Sequence, residues 1–335
     1  MNKRGYEFSF AWLFAIIIGA VVIFLAVYAA TSFVGTSRFQ IDTETAKEIG
    51  VLLNPIETNI EQAKVSRITV PDATRIFAEC DAESGNFGIQ QISASVKSGI
   101  NQPWLPDPGA TSSFRNKYIF SSSPYIEADK NFYILSKPFS YPFKIADFII
   151  IWSDKQPYCF VNSPSEIEKE IEQLSPEGLI SVPSISGCPA IGKIVCFPGP
   201  ESSNPSCDIV ITPAQGGGRV THLETREENS YIESIDSNDK NAMLYAAIFS
   251  SPEQYNCQIH RLMKRLSEEA NLLREKSQFL QQRGCGGAGP IQADLLRTSQ
   301  LASAISNSRE LSNVAFINQI KELYDKNDRL NCDLF

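Results

Sequence analysis

The 335 residues carry 30 Lys and Arg against 38 Asp and Glu, a net charge of −8 spread over short alternations. Without a Lys/Arg face, nucleic-acid binding is disfavoured. Only two histidines, His222 and His260, are present for base chemistry, and no Asn-x-Ser/Thr acceptor occurs, because Asn204-Pro-Ser is blocked by its proline.

Residues 1–9 are a short basic start in which Glu7 alone opposes Lys3 and Arg4. Phe8 through Ser37 then carry no formal charge. About twenty apolar residues cross a bilayer at roughly 1.5 Å rise each, so residues 10–34 are predicted to form a transmembrane helix. Arg38, Asp42, Glu44, Lys47 and Glu48 give the far flank a mixed, slightly acidic character. Positive charge retained inside places the N-terminus in the cytoplasm and the bulk outside it. The alternative is a cleaved secretory signal, with Val27-Tyr-Ala29 as a poor cleavage site, although a signal core of roughly 7–15 apolar residues is shorter than this one. Either way the bulk is exported. Ala11, Ala15 and Gly19 lie four apart, a small-residue stripe of the kind that lets helices associate laterally. Small residues scattered by chance through an apolar helix are the plain alternative.

Residues 35–65 read as a helical stalk. Ile49, Val51, Leu52, Leu53 and Ile56 supply its apolar side, and Pro55 should kink or divide it. Residues 66–235 read as a β-rich α/β domain. Strands are expected at 74–80, 87–96, 117–120, 131–135 and 146–152; the unalternating run from Ile149 to Trp152 predicts cover on both faces. Tyr158–Val161, a helix to Leu174 and Gly178–Val182 form a strand–helix–strand unit. Ser163, Pro164 and Glu166 carry a capping-box signature at its helix. Residues 236–335 read as a helical hairpin domain: Ser251-Pro-Glu-Gln254 opens one amphipathic helix, Gly284 stops it, and a second stretch runs to about Lys326. The fold class is thus a single N-terminal transmembrane helix plus an α+β (or α/β) ectodomain ending in an antiparallel helical hairpin.

All eight cysteines follow the span, and an even number in an exported chain suggests disulfides. Val195-Cys196-Phe197 and Cys207-Asp-Ile-Val210 flank a Pro/Gly/Ser-rich turn, and a hairpin there would pair Cys196 with Cys207. Cys257 with Cys332, tying the ends of the helical hairpin, is the next pairing expected.

Three patterns invite a chemical reading. Gly187-Cys-Pro-Ala-Ile-Gly-Lys193 spells most of a phosphate-cradling loop, but Ile194 stands where a hydroxyl should be and a strand follows, so a turn with a lysine is expected. Cys257-Gln-Ile-His260 would need Cys285 and Cys332 to complete a zinc site, against the cations Arg261, Lys264 and Arg265; a surface histidine beside a disulfide is the simpler reading. His222 looks like an alternating strand residue, and no nucleophile elbow or His-Glu-x-x-His helix accompanies either histidine. No catalytic, cofactor-binding or metal-binding residue is therefore assigned, and no cofactor is expected.

Lys3-Arg4-Gly5 before an apolar helix resembles the processing site of archaeal type IV pilin-like precursors. That resemblance implies cleavage after Gly5, with Arg4 and Gly5 as the recognised residues and the span packing into a filament. In many such precursors a glutamate sits five residues after the cut, where this chain has Phe10, its acid being Glu7. The residues beyond the span match no pilin body. The whole chain, with Lys3–Phe14 at one end and Tyr245-Ala-Ala-Ile-Phe-Ser-Ser-Pro252 near the other, is similar to uncharacterised archaeal single-span membrane proteins, which implies no activity. The expected function is a membrane-anchored structural or interaction protein of the cell surface. Its partners are the lipid bilayer, envelope proteins or a second copy of itself, and not nucleic acid. A minor pilin-like subunit and an exported enzyme or binding protein of unknown substrate are the alternatives.

Overall fold

A computed structural model describes residues 10–57, 63–82, 87–97, 104, 109, 111–115, 117–235, 240–285, 288–330, 332 and 334–335. Lys3, Arg4 and Gly5, the residues of the processing-site resemblance, lie outside the described residues.

One helix, α1 (Phe10–Glu57), opens the described chain. Its stretch Phe10–Ala30 is long and apolar enough to cross a membrane and is buried nowhere in the protein. Ala11 and Ala15 lie on this bare part, and no atom comes within 4 Å of where a Cβ on Gly19 would stand. The helix continues without interruption into the segment 35–65 expected to be a separate helical stalk, but only as far as Glu57; Lys64 and Val65 already belong to a strand, Lys64–Thr69. Pro55 does not divide it, because it stands in the last turn, where its missing N–H forfeits a single bond. Nor is this part free of the body: Ala46, Ile49 and Gly50, spaced i, i+3, i+4, are buried on one face, and Ala46 and Ile49 share a core with the strands.

Among the described residues the body has fourteen strands and five further α-helices. The first strands are β1 (Lys64–Thr69), β2 (Thr74–Glu79), β3 (Ile89–Val96), β4 (Ser112–Arg115), β5 (Lys117–Phe120), β6 (Tyr125–Ala128), β7 (Asn131–Ser140) and β8 (Lys144–Ser153). They form two four-stranded sheets, β4-β3-β2-β6 and β1-β7-β8-β5, whose facing sides share one core. The run Ile149–Trp152 in β8 is covered on both faces as its composition predicts. Ile149 and Ile151 point into the core shared with β2, β3 and α1, whereas Ile150 and Trp152 point into the main core.

A six-stranded sheet follows: β9 (Tyr158–Val161), β10 (Leu179–Val182), β11 (Lys193–Cys196), β12 (Ile209–Ala214), β13 (Gly217–His222) and β14 (Glu227–Ile232), in the order β10-β9-β11-β12-β13-β14. Helix α2 (Ser165–Leu174) joins β9 to the parallel strand β10, the expected strand–helix–strand unit. The capping box expected there does not form. Pro164 is the cap residue, without a side-chain bond, and the Ser163 hydroxyl pairs instead with that of Ser181 at 2.5 Å.

The carboxyl-terminal region is helical: α3 (Ala242–Phe249), α4 (Pro252–Gln282), α5 (Ala288–Ser303) and α6 (Val314–Asn327). Ser251 caps α4 as its sequence predicts, accepting from the Gln254 N–H at 3.3 Å. Helix α5 lies along α4, with the Ser267 and Ser299 hydroxyls 2.9 Å apart and Gln292 bonded to Gln281. The single second helix expected to Lys326 is in fact two, broken between Ser303 and Val314. Asn307 and Asn313 turn their side chains onto backbone N–H groups there, which favours new helix starts over continuation. All eight residues of α3 are buried, wedged between two sheets: the Phe249 ring lies 5.0 Å from Trp152 and 4.1 Å from Tyr158.

Four disulfides join all eight cysteines. Cys196 pairs with Cys207 as expected, but β11 and β12 run parallel, so the Pro/Gly-rich segment crosses back over the sheet and makes no hairpin. The pairing of Cys257 with Cys332 is overturned. Cys257 sits in the second turn of α4, against the end of β2, and bonds Cys80; Cys332 bonds Cys285 beyond α4; Cys159 takes Cys188. Disulfides persist in oxidising compartments, to which this complete pairing points.

Candidate functional site

None of the three sequence patterns assembles the chemistry it resembles. Gly187 to Lys193 runs from a 3-10 turn into β11, with no helix behind it, and Cys188 is committed to a disulfide. The Cys257 sulfur is likewise engaged, so the Cys257–His260 pair offers no thiolate. No group of three metal-ligating side chains occurs among the described residues. His222 is a strand residue as expected: it closes β13, paired in register with Ile209 and Glu227, and is half-buried.

The topology itself marks one crevice. Strands β9, β11, β12 and β14 run the same way. The chain leaves β9 toward β10 on one side and leaves β11 toward β12 on the other. Such a reversal opens a gap beyond the carboxyl ends of the two central strands, the usual ligand position in open sheets of this kind. A cavity of about 420 Å³ lies there, lined by Asn162, Glu166, Phe197, Tyr231, Glu233 and Lys240 among others. Asn162 adopts φ 56°, a left-handed conformation that asparagine tolerates better than most residues, and its Nδ2 donates to the Pro198 carbonyl at 2.5 Å. Gly199 permits this approach, since a Cβ there would stand 2.2 Å from Asn162 Nδ2. Lys240 reaches Glu166 at 3.5 Å and Glu233 at 3.8 Å, long contacts that leave it exchangeable. Burial pushes the Tyr231 hydroxyl up to about 12, so it stays protonated and able to donate.

A larger cavity, about 820 Å³, lies between the β7–β8 turn and helices α4 and α6, with Phe143, Leu272, Tyr324 and Phe335 on its walls. Its charged groups are already matched: Glu269 to Arg265 at 2.8 Å and Lys144 to Asp147 at 2.9 Å. Burial raises both carboxyls above their ordinary range, against the pull of those cations. A third cavity, about 230 Å³, lies beside His222 at the opposite edge of the six-stranded sheet from the crevice.

Each site draws on residues far apart in sequence. The crevice is invisible in the residue order because it depends on which strands are neighbours. The one local signal was the Asn162-Ser163-Pro164 break after an apolar strand. No protein-family profile, curated protein or solved structure matches the chain.

Proposed function

We propose that the chain is a membrane-anchored, extracytoplasmic interaction protein of the cell envelope, with a cytoplasmic N-terminus, one span within residues 10–34 and a body ending in an antiparallel helical hairpin. The observation that carries this reading is α1 itself. Its apolar stretch Phe10–Ala30 is bare, while Ala46 and Ile49 further along it are seated in the core of a body whose cysteines are all paired. A bare apolar helix in water exposes far more contiguous apolar surface than soluble monomers tolerate, and a bilayer removes that cost. The body works by binding rather than by chemistry, and the crevice beyond the carboxyl ends of β9 and β11 is where a ligand or partner segment would seat. Protease protection of the intact cell separates the topologies: external protease should digest the body and leave a short membrane-held fragment. Digestion only after lysis contradicts the reading.

A second reading, a pilin-like subunit cut after Gly5, is favoured by the unbroken run of α1 from a bare apolar stretch into a docked one. Ala11, Ala15 and Gly19 would then pack against neighbouring spans. Mass spectrometry of the mature amino terminus decides between them. A chain beginning at Tyr6 supports the subunit, and an intact Lys3-Arg4 supports the permanent anchor.

A further inference from the structure

The crevice beyond the carboxyl ends of β9 and β11 receives one tyrosine hydroxyl that has nothing to bond. Tyr231 of β14 stands opposite Gly218 of β13, and Gly218 stands opposite Pro213 of β12. Paired residues present their side chains on one face of a sheet, so the Tyr231 ring crosses the bare glycine toward Pro213. A Cβ on Gly218 would lie 2.7 Å from the hydroxyl oxygen and 2.9 Å from the Pro213 Cα. The hydroxyl therefore ends beside Pro213, on the crevice wall. Tyr231 is only 6% exposed, and its hydroxyl makes no hydrogen bond among the described residues while keeping contact with solvent. Burial, and then the charge of Glu233 nearby, hold it protonated. The rim carries an excess of carboxylate. Glu166 in the first turn of α2 and Glu233 just past β14 converge on one ammonium, that of Lys240, at 3.5 and 3.8 Å. Charge-assisted bonds at full strength are shorter, about 2.7–2.9 Å, so two carboxylates share one loosely held cation. Asn162 gives its amide nitrogen to the Pro198 carbonyl, which leaves its Oδ1 as a further acceptor.

Resting on the reading of this crevice as a ligand seat, we propose that it binds a small organic ammonium ion, a primary amine on an apolar body. The ligand's ammonium takes the place of Lys240 between Glu166 and Glu233, and its third N–H goes to the Tyr231 oxygen. The body lies against Phe197, Pro213 and Leu244, which make this wall apolar. A cavity of about 420 Å³ lined by apolar side chains with a few polar groups is of small-ligand size. An anion fares worse, because Lys240 is already shared and the acids Glu166 and Glu168 offset the attraction of the α2 amino end. A neutral molecule of the same shape would leave the excess carboxylate unmatched.

The test is saturation-transfer NMR on the full-length chain in lipid nanodiscs, with the signal of empty nanodiscs subtracted. Phenethylamine, phenethyl alcohol and hydrocinnamate serve as cationic, neutral and anionic probes of similar shape. Saturable binding of the amine, about tenfold tighter than that of either other probe, is expected. Lys240→Ala should tighten it about threefold, because the variant removes a competing ammonium whose exposed pairs are individually weak. Tyr231→Phe should weaken it about fivefold, the effect of one hydrogen bond, and leave the Tm unchanged, because the fold gives that hydroxyl no bond. Four results overturn the proposal: no saturable amine binding by the folded wild-type chain; equal or tighter binding of the alcohol or the acid; amine binding that ignores Tyr231→Phe; or amine binding that Lys240→Ala weakens. The wider reading of an envelope interaction protein fails separately, by the protease-protection result.

Discussion

Arg261 shows how far a residue's role can depart from its neighbours in sequence. It falls in a basic run with Lys264 and Arg265, yet its side chain is fully buried. Its guanidinium is held by oxygens alone: Phe87 and Ile89 carbonyls at 3.0 and 2.7 Å, and the Gln90 and Gln258 side chains at 2.9 and 2.6 Å. It also lies over the Tyr118 ring at 4.9 Å. Arg261 therefore joins α4 to β3 and β5, and Arg261→Met should strand those acceptors and cost ~3–5 kcal/mol in denaturant unfolding. Arg261→Lys should rescue little, because an ammonium cannot reproduce the planar fork. His222 gives a second expectation at this scale. Burial holds its folded pKa below the ordinary 6.5, mainly by desolvation. Its neutral form therefore contributes stability present above the unfolded pKa and lost as pH falls through the folded one. Imidazole NMR should show a midpoint below 6.5, and a midpoint above it contradicts the buried placement. Neither property was legible beforehand. The Ser251 cap was, because capping is decided within four residues, whereas Ser163 carried the same signature and was diverted by Ser181 across the sheet.

Among elements, the six-stranded sheet is covered in two different ways. Tyr158, Phe160 and Val195 face the helices, while Cys159, Val161, Cys196 and Cys207 gather on the other side. Parallel strands are normally buried on both faces by helices. Here two loops, pinned by Cys159–Cys188 and Cys196–Cys207, do that work on the outer face. The double variant Cys159→Ser/Cys188→Ser frees a loop with a sequence separation of 29 residues and should lower stability by ~3 kcal/mol in calorimetry. Added binding of a hydrophobic dye would report the uncovered face. At α1, Ile49→Ala should cost ~2–5 kcal/mol in the body's unfolding, since Ile49 belongs to a core and not to a free stalk; no loss would restore the stalk. Elements with one buried face, such as α2 and α4, were readable from their spacing. Helix α3 was not, because a segment buried all round has no polar face to set a period. The β11–β12 relation was misread because a Pro/Gly-rich segment between two short strands suits a tight turn and a returning crossover alike, and only the neighbours of β9 decide between them.

At the scale of the whole molecule, two properties of the chain constrain each other. The stretch Phe10–Ala30 of α1 is long and apolar enough to cross a membrane, and four disulfides point to a compartment that does not reduce them. A span with the body outside the cytoplasm satisfies both. Cys80–Cys257 bears most on the architecture, because its partners are 177 residues apart and bind the first strands to α4. Its two residues sit in segments that the boundary expected near residue 235 assigned to separate domains. The main core, too, runs on from the sheets into the carboxyl-terminal helices. The most direct measurement is maleimide–PEG labelling of the protein in alkaline-washed membranes, before and after reduction under denaturing conditions. The account expects the protein to remain with the membranes, unlabelled at first, and then to gain eight labels, one per cysteine. Labelling before reduction, or release of the chain by the wash, contradicts it.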